Sequence, residues 1–298
     1  MITIITAVYN QLALTKAYWA SLLKHPPNEN WEIIWVNDCS TDDTREWLKS
    51  IESRNCRIIF NETNQGYATS NNTGASFARG DTLIFLNNDL EIEQGWLEPL
   101  LEKLDQVEEV GIVGNIQVQH STGLIDHAGV WFDLVGCPGH LHKGANPKNI
   151  KESGTFCKAV TAACWATRKK TFDLVGGFDT AFRNGAEDFD LCLKLHQRGY
   201  RHWVDYRSQV RHHVSASPGR KLMDVENQAI FLKRWGELTS QFGQEDWPRE
   251  YLKRVLKHPT QINATKTLDA LLRLVHLKRG PSEWATRHRE KLIAKANL

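Results

Sequence analysis

The amino-acid sequence predicts an α/β fold in which a mostly parallel sheet is flanked by helices. Short apolar runs at residues 2–8, 31–36 and 82–86 are typical of buried strands. Helical segments separate these runs, and the alternation indicates right-handed βαβ units. No G-x-G-x-x-G motif follows the first strand, which argues against a dinucleotide cofactor.

Composition and charge narrow the class of protein. The chain has 298 residues, of which 41% are hydrophobic and 24% are charged, as in soluble globular proteins. Its net charge of +2 argues against a dedicated nucleic-acid binder. From Gly219 onward, 16 Lys and Arg face 9 Asp and Glu, so this part carries +7 and the preceding part −5. We therefore predict two domains, an acidic domain at 1–218 that holds the candidate site and a basic helical extension at 219–298.

Cysteine usage and the N-terminus bear on location. The six cysteines show no Cys-x-x-Cys pair or zinc-finger spacing, which favours a reduced, cytosolic setting. Met1 leads directly into a predicted strand, without the basic and apolar regions of a signal peptide or membrane span. The sequence therefore predicts a cytoplasmic protein.

Three side chains that carry oxygen atoms, Asn87, Asn88 and Asp89, follow the buried run at 82–86. Ligands of open α/β sheets bind at the carboxyl ends of the strands. Carboxylate and amide oxygens suit a hard cation such as Mg²⁺ or Mn²⁺, which could neutralise a departing diphosphate. The alternative is a plain turn, because Asn and Asp are common turn residues.

The second strand ends in Asn37 and Asp38, at the same predicted edge. Asp38 is either a turn residue or a hydrogen-bond acceptor for a nucleobase or ribose. Ser40 and Asp43 have the spacing of a capping box, which predicts that they cap the next helix.

Eight short motifs occur along the chain in a recognisable order. They are Thr6-Ala-Val-Tyr-Asn10, Val36-Asn-Asp-Cys-Ser-Thr-Asp42, Asn64-x-Gly66-Tyr-Ala, Leu86-Asn-Asn-Asp89, Thr161-Ala-Ala-Cys164, Gly176-Gly-Phe-Asp179, Glu187-Asp188 and His212-His-x-x-x-Ser217. In this order they resemble the family 2 glycosyltransferases, especially bacterial polysaccharide and O-antigen enzymes of the rhamnosyltransferase type. The resemblance covers about three quarters of the chain. It implies a GT-A fold and transfer of a sugar from a nucleotide diphosphate to a growing glycan.

The resemblance also implies a set of donor-binding residues. Tyr9 would stack on the base, Asp38 would accept a hydrogen bond from its ring N–H, and Asn64 would lie in the donor pocket. Uracil and thymine both carry such an N–H, which favours a UDP- or dTDP-sugar and leaves guanine open. The implied donor-binding set is Thr6, Tyr9, Asp38, Asn64, Asn87 and Asn88.

For the metal, the resemblance places Asn87 and Asp89 at the two ends of an Asp-x-Asp motif. An amide at Asn87 supplies an oxygen but no negative charge, so Asp89 needs help from another side chain. Neighbouring residues of a strand point to opposite faces, so His212 and His213 cannot both face one site. The spacing to Ser217 favours His212. The predicted ligands of Mn²⁺ or Mg²⁺ are therefore Asp89, His212 and Asn87.

Glu187 and Asp188 begin a predicted helix, where the macrodipole stabilises acids and keeps them ionised. An ionised carboxylate is what a general base requires. The resemblance makes Asp188 the base of an inverting reaction and Glu187 the second choice.

Two regions carry weaker signals. Residues 119–156 are irregular and rich in Gly, His and Pro, and we interpret them as a long acceptor-facing loop. Its histidines, His120, His127, His140 and His142, lack zinc-like spacing, which favours surface or packing roles. In the C-terminal part, helical spacing predicts a helix that buries one apolar face, composed of Leu268, Leu271, Leu272 and Val275. The basic residues around that helix favour a solvated face slightly over a peripheral contact with the inner face of the membrane or a neighbouring domain.

Three functions remain as hypotheses. The leading one is an inverting, metal-dependent glycosyltransferase that uses a nucleotide-sugar donor and a glycan or lipid-linked glycan acceptor. A sugar nucleotidyltransferase lacks support because no Gly-rich basic loop follows the first strand. A degenerate glycosyltransferase fold that serves as a glycan-binding or scaffold module receives some support from Asn37 and Asn87. The joint presence of Asp89, Asp188 and His212 argues against it.

Overall fold

A computed structural model describes residues 1–213 and 223–296, which divide into two compact units. We call residues 1–129 and 140–213 the sheet unit, and residues 130–139 and 223–296 the helical unit. The predicted boundary between residues 218 and 219 lies outside the described residues. Residues 130–139 belong to the helical unit although they lie far from it in sequence.

Strands and helices are numbered in chain order through both units. The strands of the sheet unit are β1 (Ile2–Val8), β2 (Trp31–Asn37), β3 (Cys56–Phe60), β4 (Thr82–Leu86), β5 (Leu90–Ile92), β6 (Val110–Gln119), β7 (Ile125–His127), β10 (Gly154–Cys157), β11 (Cys164–Arg168) and β12 (Arg201–His212). Its helices are α1 (Leu12–Lys24), α2 (Thr44–Ile51), α3 (Tyr67–Ser76), α4 (Glu98–Gln106), α5 (Lys169–Leu174) and α6 (Glu187–Gln197).

The strands form one sheet in the order β10-β12-β6-β11-β4-β1-β2-β3, and β5 and β7 pair with β12 and β6. The pairs β1–β2, β1–β4, β2–β3 and β6–β12 are parallel, whereas β11 lies antiparallel between β4 and β6. The prediction of a mostly parallel α/β sheet is confirmed. With this topology β1, β2, β4 and β12 all end at one side of the sheet, which we call the carboxyl edge.

The central strands are buried because helices cover them. Ile4, Trp35 and Ile84 lie fully inside the main hydrophobic core. The indole of Trp35 packs edge-to-face against Tyr18 and Trp19, at centroid separations of 5.6 and 5.8 Å. This packing anchors α1 on the sheet and so fixes the loops that follow β1 and β2.

Two local predictions in the sheet unit are wrong. Ser40 and Asp43 do not form a capping box: Ser40 Oγ accepts a hydrogen bond from Asn10 N at 2.8 Å, and Asp43 makes no side-chain cap bond to α2. Residues 119–156 are not one loop, because they contain β7, β10 and the paired short strands β8 (Val130–Phe132) and β9 (Pro138–His140). These strands are only three or four residues long and lie within polar, glycine-rich sequence, so no apolar run indicated them.

The helical unit consists mainly of α7 (Asp224–Lys257), α8 (Ala264–Leu274) and α9 (Glu283–Ala294). Leu134 and Val135 share its core with Tyr251, Ala270 and Ala285. No helix in the described part of the chain is sufficiently long and apolar to cross a lipid bilayer.

The predicted buried face of α8 is wrong. Leu268, Leu271 and Val275 are exposed, and the buried residues of the helix are Asp269, Ala270 and Arg273. Periodicity located the apolar stripe, but the neighbouring helix α7 packs against the other side of α8.

Candidate active site

The loop before α3 is built around the carboxylate of Asp38, which is buried at the end of β2. Its Oδ1 accepts hydrogen bonds from Asn61 Nδ2 at 2.8 Å and Gln65 N at 2.7 Å, and its Oδ2 accepts one from Gly66 N at 2.8 Å. Asn64 Nδ2 donates to the main-chain oxygen of Asp38 at 3.2 Å. Asp38 and Asn64, both predicted to bind the donor, therefore meet in one loop.

Tyr9 lies at the end of β1 with 42% of its surface exposed. The next residue, Asn10, has a positive φ of 57°, and its Oδ1 accepts a hydrogen bond from Thr41 N at 2.7 Å. This bond joins the loops after β1 and β2, so an exposed ring stands beside the Asp38 loop. Thr6 differs, because it is fully buried and its hydroxyl lies 3.0 Å from the hydroxyl of Tyr18. The structure does not bring the Thr6 side chain to the carboxyl edge.

Asn87 and Asn88, which follow β4, make different contacts. Asn88 Nδ2 donates to Thr15 Oγ1 of α1 at 2.9 Å, so this amide anchors the end of the strand. Asn87 N donates to Ala163 O at 2.9 Å, while its Oδ1 is buried and has no hydrogen-bond partner among the described residues. An amide oxygen left in this way is available to a ligand.

Asp89 and His212 come together although 123 positions separate them. Strand β5 pairs with β12, and this pairing brings Asp89 Oδ1 to 3.2 Å from His212 Nε2. His213 donates its main-chain N–H to Asp89 O at 3.0 Å, and its ring stacks on His120 at a centroid separation of 4.0 Å. The two histidines thus point in different directions, and His212 is the one that faces Asp89.

Asn87, Asp89 and His212 form the candidate site for a divalent cation. Within residues 1–213 and 223–296, no group of three or more His, Cys, Asp or Glu side chains is arranged to hold a metal ion. The candidate set therefore depends on the amide oxygen of Asn87 together with Asp89 and His212. Adjacent ligand atoms of an octahedral ion lie about 3 Å apart for bonds of about 2.1 Å, which the 3.2 Å separation matches. Oxygen and imidazole donors suit Mn²⁺ or Mg²⁺, so the residues present fit the ion.

The start of α6 holds the two candidate acids. Glu187 is buried, and its Oε2 accepts a hydrogen bond from Gly185 N at 2.6 Å, within its own loop. Asp188 is half-buried, and its Oδ2 accepts a hydrogen bond from Ala162 N at 3.1 Å. Ala186 has a positive φ of 72°, which bends the chain into the helix. The two neighbouring carboxylates therefore have different surroundings.

The segment Ala162–Ala163 links the parts of the site, and sequence reasoning missed this role. Ala162 N contacts Asp188, Ala162 O accepts from the hydroxyl of Tyr67 at 3.0 Å, and Ala163 O accepts from Asn87 N. The one available signal was the motif Thr161-Ala-Ala-Cys164, whose small side chains allow several main-chain groups to approach. Asp188 and Asn87 are thus held by neighbouring peptide groups.

A second contact that the sequence did not indicate joins the loop before α6 to the loop before α3. Arg183 Nη2 lies 3.3 Å from Asn64 Oδ1, and Asn184 Oδ1 accepts a hydrogen bond from Tyr67 N at 3.0 Å. The loop before α6 therefore touches the loop before α3. An exposed guanidinium beside the loop before α3 suits a phosphate. Its only sequence signal was a lone arginine between two motifs.

Two histidines between β6 and β10, His127 and His140, have packing roles, whereas His120 is exposed. His127 is fully buried and its Nε2 accepts from Gly129 N at 3.2 Å. Burial, followed by the influence of His140, keeps the pKa of His127 well below its usual value. His140 Nδ1 lies 2.9 Å from Asp126 O. That this segment faces the acceptor stays a prediction.

With this geometry in place, the chain can be compared with known proteins. Residues 3–175 match the model of Glycosyl transferase family 2. The chain belongs to this family. The predictions of the family and of the enzyme class, a glycosyltransferase, are confirmed.

Two relatives and one solved structure illustrate the similarity. The chain is 33% identical over 238 residues to the uncharacterized protein y4gI of Sinorhizobium fredii, covering 74% of this chain and 25% of that protein. It is 31% identical over 225 residues to the O-antigen biosynthesis protein RfbC of Myxococcus xanthus, covering 72% of this chain and 17% of that protein. The chain thus spans a quarter or less of the length of these relatives.

The crystal structure of GalNAc-T7 with UDP, GalNAc and Mn²⁺ is similar in fold. The TM-score is 0.63 at 17% identity, over 82% of this chain and 50% of that one. This likeness confirms the predicted GT-A fold.

Proposed function

We propose that this glycosyltransferase moves a sugar from a UDP- or dTDP-sugar to a hydroxyl of a glycan or lipid-linked glycan, with inversion and with the help of a divalent metal. The observation that carries the proposal is the Ala162–Ala163 segment, whose peptide groups hold Asp188 on one side and Asn87 on the other. This arrangement brings a candidate base close to the candidate metal ligands. The name of the relative RfbC supports a role in the synthesis of cell-surface polysaccharide.

The donor side of the proposal depends on Asp38. A carboxylate offers about four lone-pair positions, and Asp38 uses three of them for Asn61, Gln65 and Gly66. The remaining position suits the ring N–H of uracil or thymine. Tyr9 supplies an exposed aromatic face beside it, on which a base can stack.

The phosphate side depends on Asp89, His212 and Asn87. These residues would hold Mn²⁺ or Mg²⁺, which supplies positive charge to the diphosphate leaving group when it is bound. The presence of Mn²⁺ and UDP in the crystal of GalNAc-T7 supports this assignment. Arg183 adds a second positive group on the side of the donor loop.

The acceptor side depends on Asp188. An acceptor hydroxyl is a weak nucleophile at neutral pH, so a carboxylate must take its proton while the new bond forms at the anomeric carbon. The bond to the nucleotide diphosphate breaks on the opposite face, which inverts the anomeric configuration. Asp188 suits this role better than Glu187, because Glu187 is buried and turned back onto Gly185.

The test compares Asp188→Asn with Glu187→Gln. Asp188→Asn should lower transfer by about 10²–10⁴-fold, the loss typical of a missing general base, and should leave the donor Kd unchanged. Glu187→Gln should lower it less. NMR of the product should show inversion relative to the donor. A retained linkage, or near-normal transfer by Asp188→Asn, would contradict the assignment of the base.

A donor panel would identify the nucleotide. The thermal unfolding temperature should rise most with the correct nucleoside diphosphate in the presence of Mn²⁺, because a ligand that binds only the folded state stabilises it. Binding of a nucleotide without any turnover of its sugars would favour a degenerate, glycan-binding protein instead.

A further inference from the structure

Helix α8 presents its apolar side chains to solvent. Leu268 is 59% exposed, Leu271 is 48% exposed and Val275, directly after the helix, is 62% exposed. Their spacing of three and four residues places them in one row. Leu277, which follows in the sequence, is 78% exposed. A cluster of large exposed apolar residues of this kind marks an interaction surface.

The buried side of α8 explains why the apolar row does not face the core. Asp269 Oδ1 lies 2.9 Å from Arg273 Nε and 3.0 Å from Lys278 Nζ. Arg273 is itself buried, and its Nη1 donates to Gly280 O at 3.0 Å. The small side chain of Ala270 lies in the core beside Tyr251 of α7. Rotating α8 about its axis would remove Ala270 from the core and separate Thr267 Oγ1 from the hydroxyl of Tyr251, 3.2 Å away, so the apolar row stays outside.

The stretch of sequence between Glu250 and Glu283, which contains this row, carries mostly positive charge. Residues 251–282 contain seven Lys and Arg and a single acid, Asp269, for a net charge of +6. Because Asp269 is buried and paired, the exposed ionised side chains of this stretch are cations. Lys278 and Arg279 directly follow the exposed row. Apolar side chains next to basic ones are typical of helices that lie in the interface of an anionic membrane.

We propose that α8 and the residues after it dock on an anionic lipid surface, with Leu268, Leu271 and Val275 among the headgroups. Arg279, which follows this row in the sequence, would meet the lipid phosphates. A second copy of the chain fits less well, because a symmetric contact would place two stretches of charge +6 against each other. The proposal is independent of the donor and acceptor assigned above.

The test uses the full chain and vesicles of stated composition. The wild-type protein should co-sediment with vesicles of phosphatidylcholine and phosphatidylglycerol and less with phosphatidylcholine alone, and salt should weaken the binding. Leu268→Gln/Leu271→Gln should lower the partition constant by about tenfold or more, since each leucine loses several buried carbons. Glutamine preserves helix propensity, so α8 should persist.

A matched control comes from the sheet unit. Leu23 and Leu174 are exposed to similar extents, 52% and 46%, and Leu23→Gln/Leu174→Gln should bind vesicles like the wild type. Circular dichroism and thermal unfolding would verify that both double variants are folded. Because vesicle binding requires no turnover, Asp188→Asn should bind vesicles normally, which separates this proposal from the proposed function.

Three results would overturn the proposal. One is the absence of binding to anionic vesicles, and another is an equal loss of binding in the control variant. The third is a wild-type protein that is dimeric and does not bind vesicles, together with an α8 variant that is monomeric. That result would show that a second copy of the chain covers the apolar row.

Discussion

The carboxyl edge of the sheet unit and helix α8 of the helical unit both bury an aspartate, but they satisfy it in different ways. Asp38 accepts hydrogen bonds from two main-chain N–H groups and an amide, which are all neutral. Asp269 faces Arg273 and Lys278, so its charge is cancelled. A carboxylate held by neutral donors keeps its negative charge available for a ligand. A carboxylate whose charge is cancelled by two cations contributes mainly to packing. This difference distinguishes a candidate ligand-binding carboxylate from a structural one.

Asp89 also lies at the carboxyl edge, where its carboxylate faces His212, and replacing it should have the largest effect on activity. Asp89→Ala should lower metal-dependent transfer by about 10³-fold or more, because the charge stabilisation supplied by a bound metal is worth several kcal/mol. Steady-state assays with titrated Mn²⁺ would measure the loss, and unfolding curves would show an intact fold. Full wild-type activity in excess EDTA would contradict a metal role.

Asp269 belongs with the second kind, and its replacement should affect stability. Asp269→Ala leaves Arg273 buried without its carboxylate partner, which should cost about 3–5 kcal/mol of unfolding free energy in urea denaturation. Leu268→Gln on the opposite side of α8 should change it by less than about 0.5 kcal/mol. An equal loss of unfolding free energy in both variants would show that the ion pair of Asp269 does not stabilise the helical unit.

The same aspartate gives a pH signature. Burial alone would raise the pKa of Asp269, but Lys278 and Arg273 outweigh it and hold the pKa below its ordinary value. A carboxyl whose pKa is depressed by folding stabilises the protein above its unfolded pKa, about 3.9, and this contribution is lost as pH falls through the folded value. The wild type should therefore lose stability below about pH 4 more steeply than Asp269→Ala. Parallel pH profiles would contradict this.

The smallest effect concerns the two neighbouring histidines. His212→Ala removes the imidazole that faces Asp89 and should weaken Mn²⁺ binding by about tenfold or more, a loss of at least 1.4 kcal/mol. His213→Ala removes a ring that stacks on His120 and keeps the main-chain bond to Asp89, so it should change binding little. Isothermal titration with Mn²⁺ would rank the variants. The opposite ranking would assign the metal to the other face of β12.

Much of the carboxyl edge was predictable from the sequence. Apolar runs identified β1, β2 and β4, and because parallel strands end at a common side, Tyr9, Asp38 and Asp89 were expected to converge there. The alternation of side chains along a strand showed that only one of His212 and His213 could face the site. These inferences hold because strand geometry relates sequence position to direction at every residue.

Other features depended on tertiary structure. Periodicity revealed the apolar row of Leu268, Leu271 and Val275, but a helix can pack through either side, and the contacts of Thr267 and Ala270 with Tyr251 of α7 determined which one. The association of residues 130–139 with the helical unit and the link through Ala162–Ala163 involve contacts between distant positions. The contacts of Ala162 and Ala163 are made by main-chain groups. Because every residue carries such groups, side-chain patterns cannot reveal these contacts. The sequence by itself determined the sheet and the composition of its edge, whereas tertiary packing decided which partners each polar group received and which side of α8 faces water.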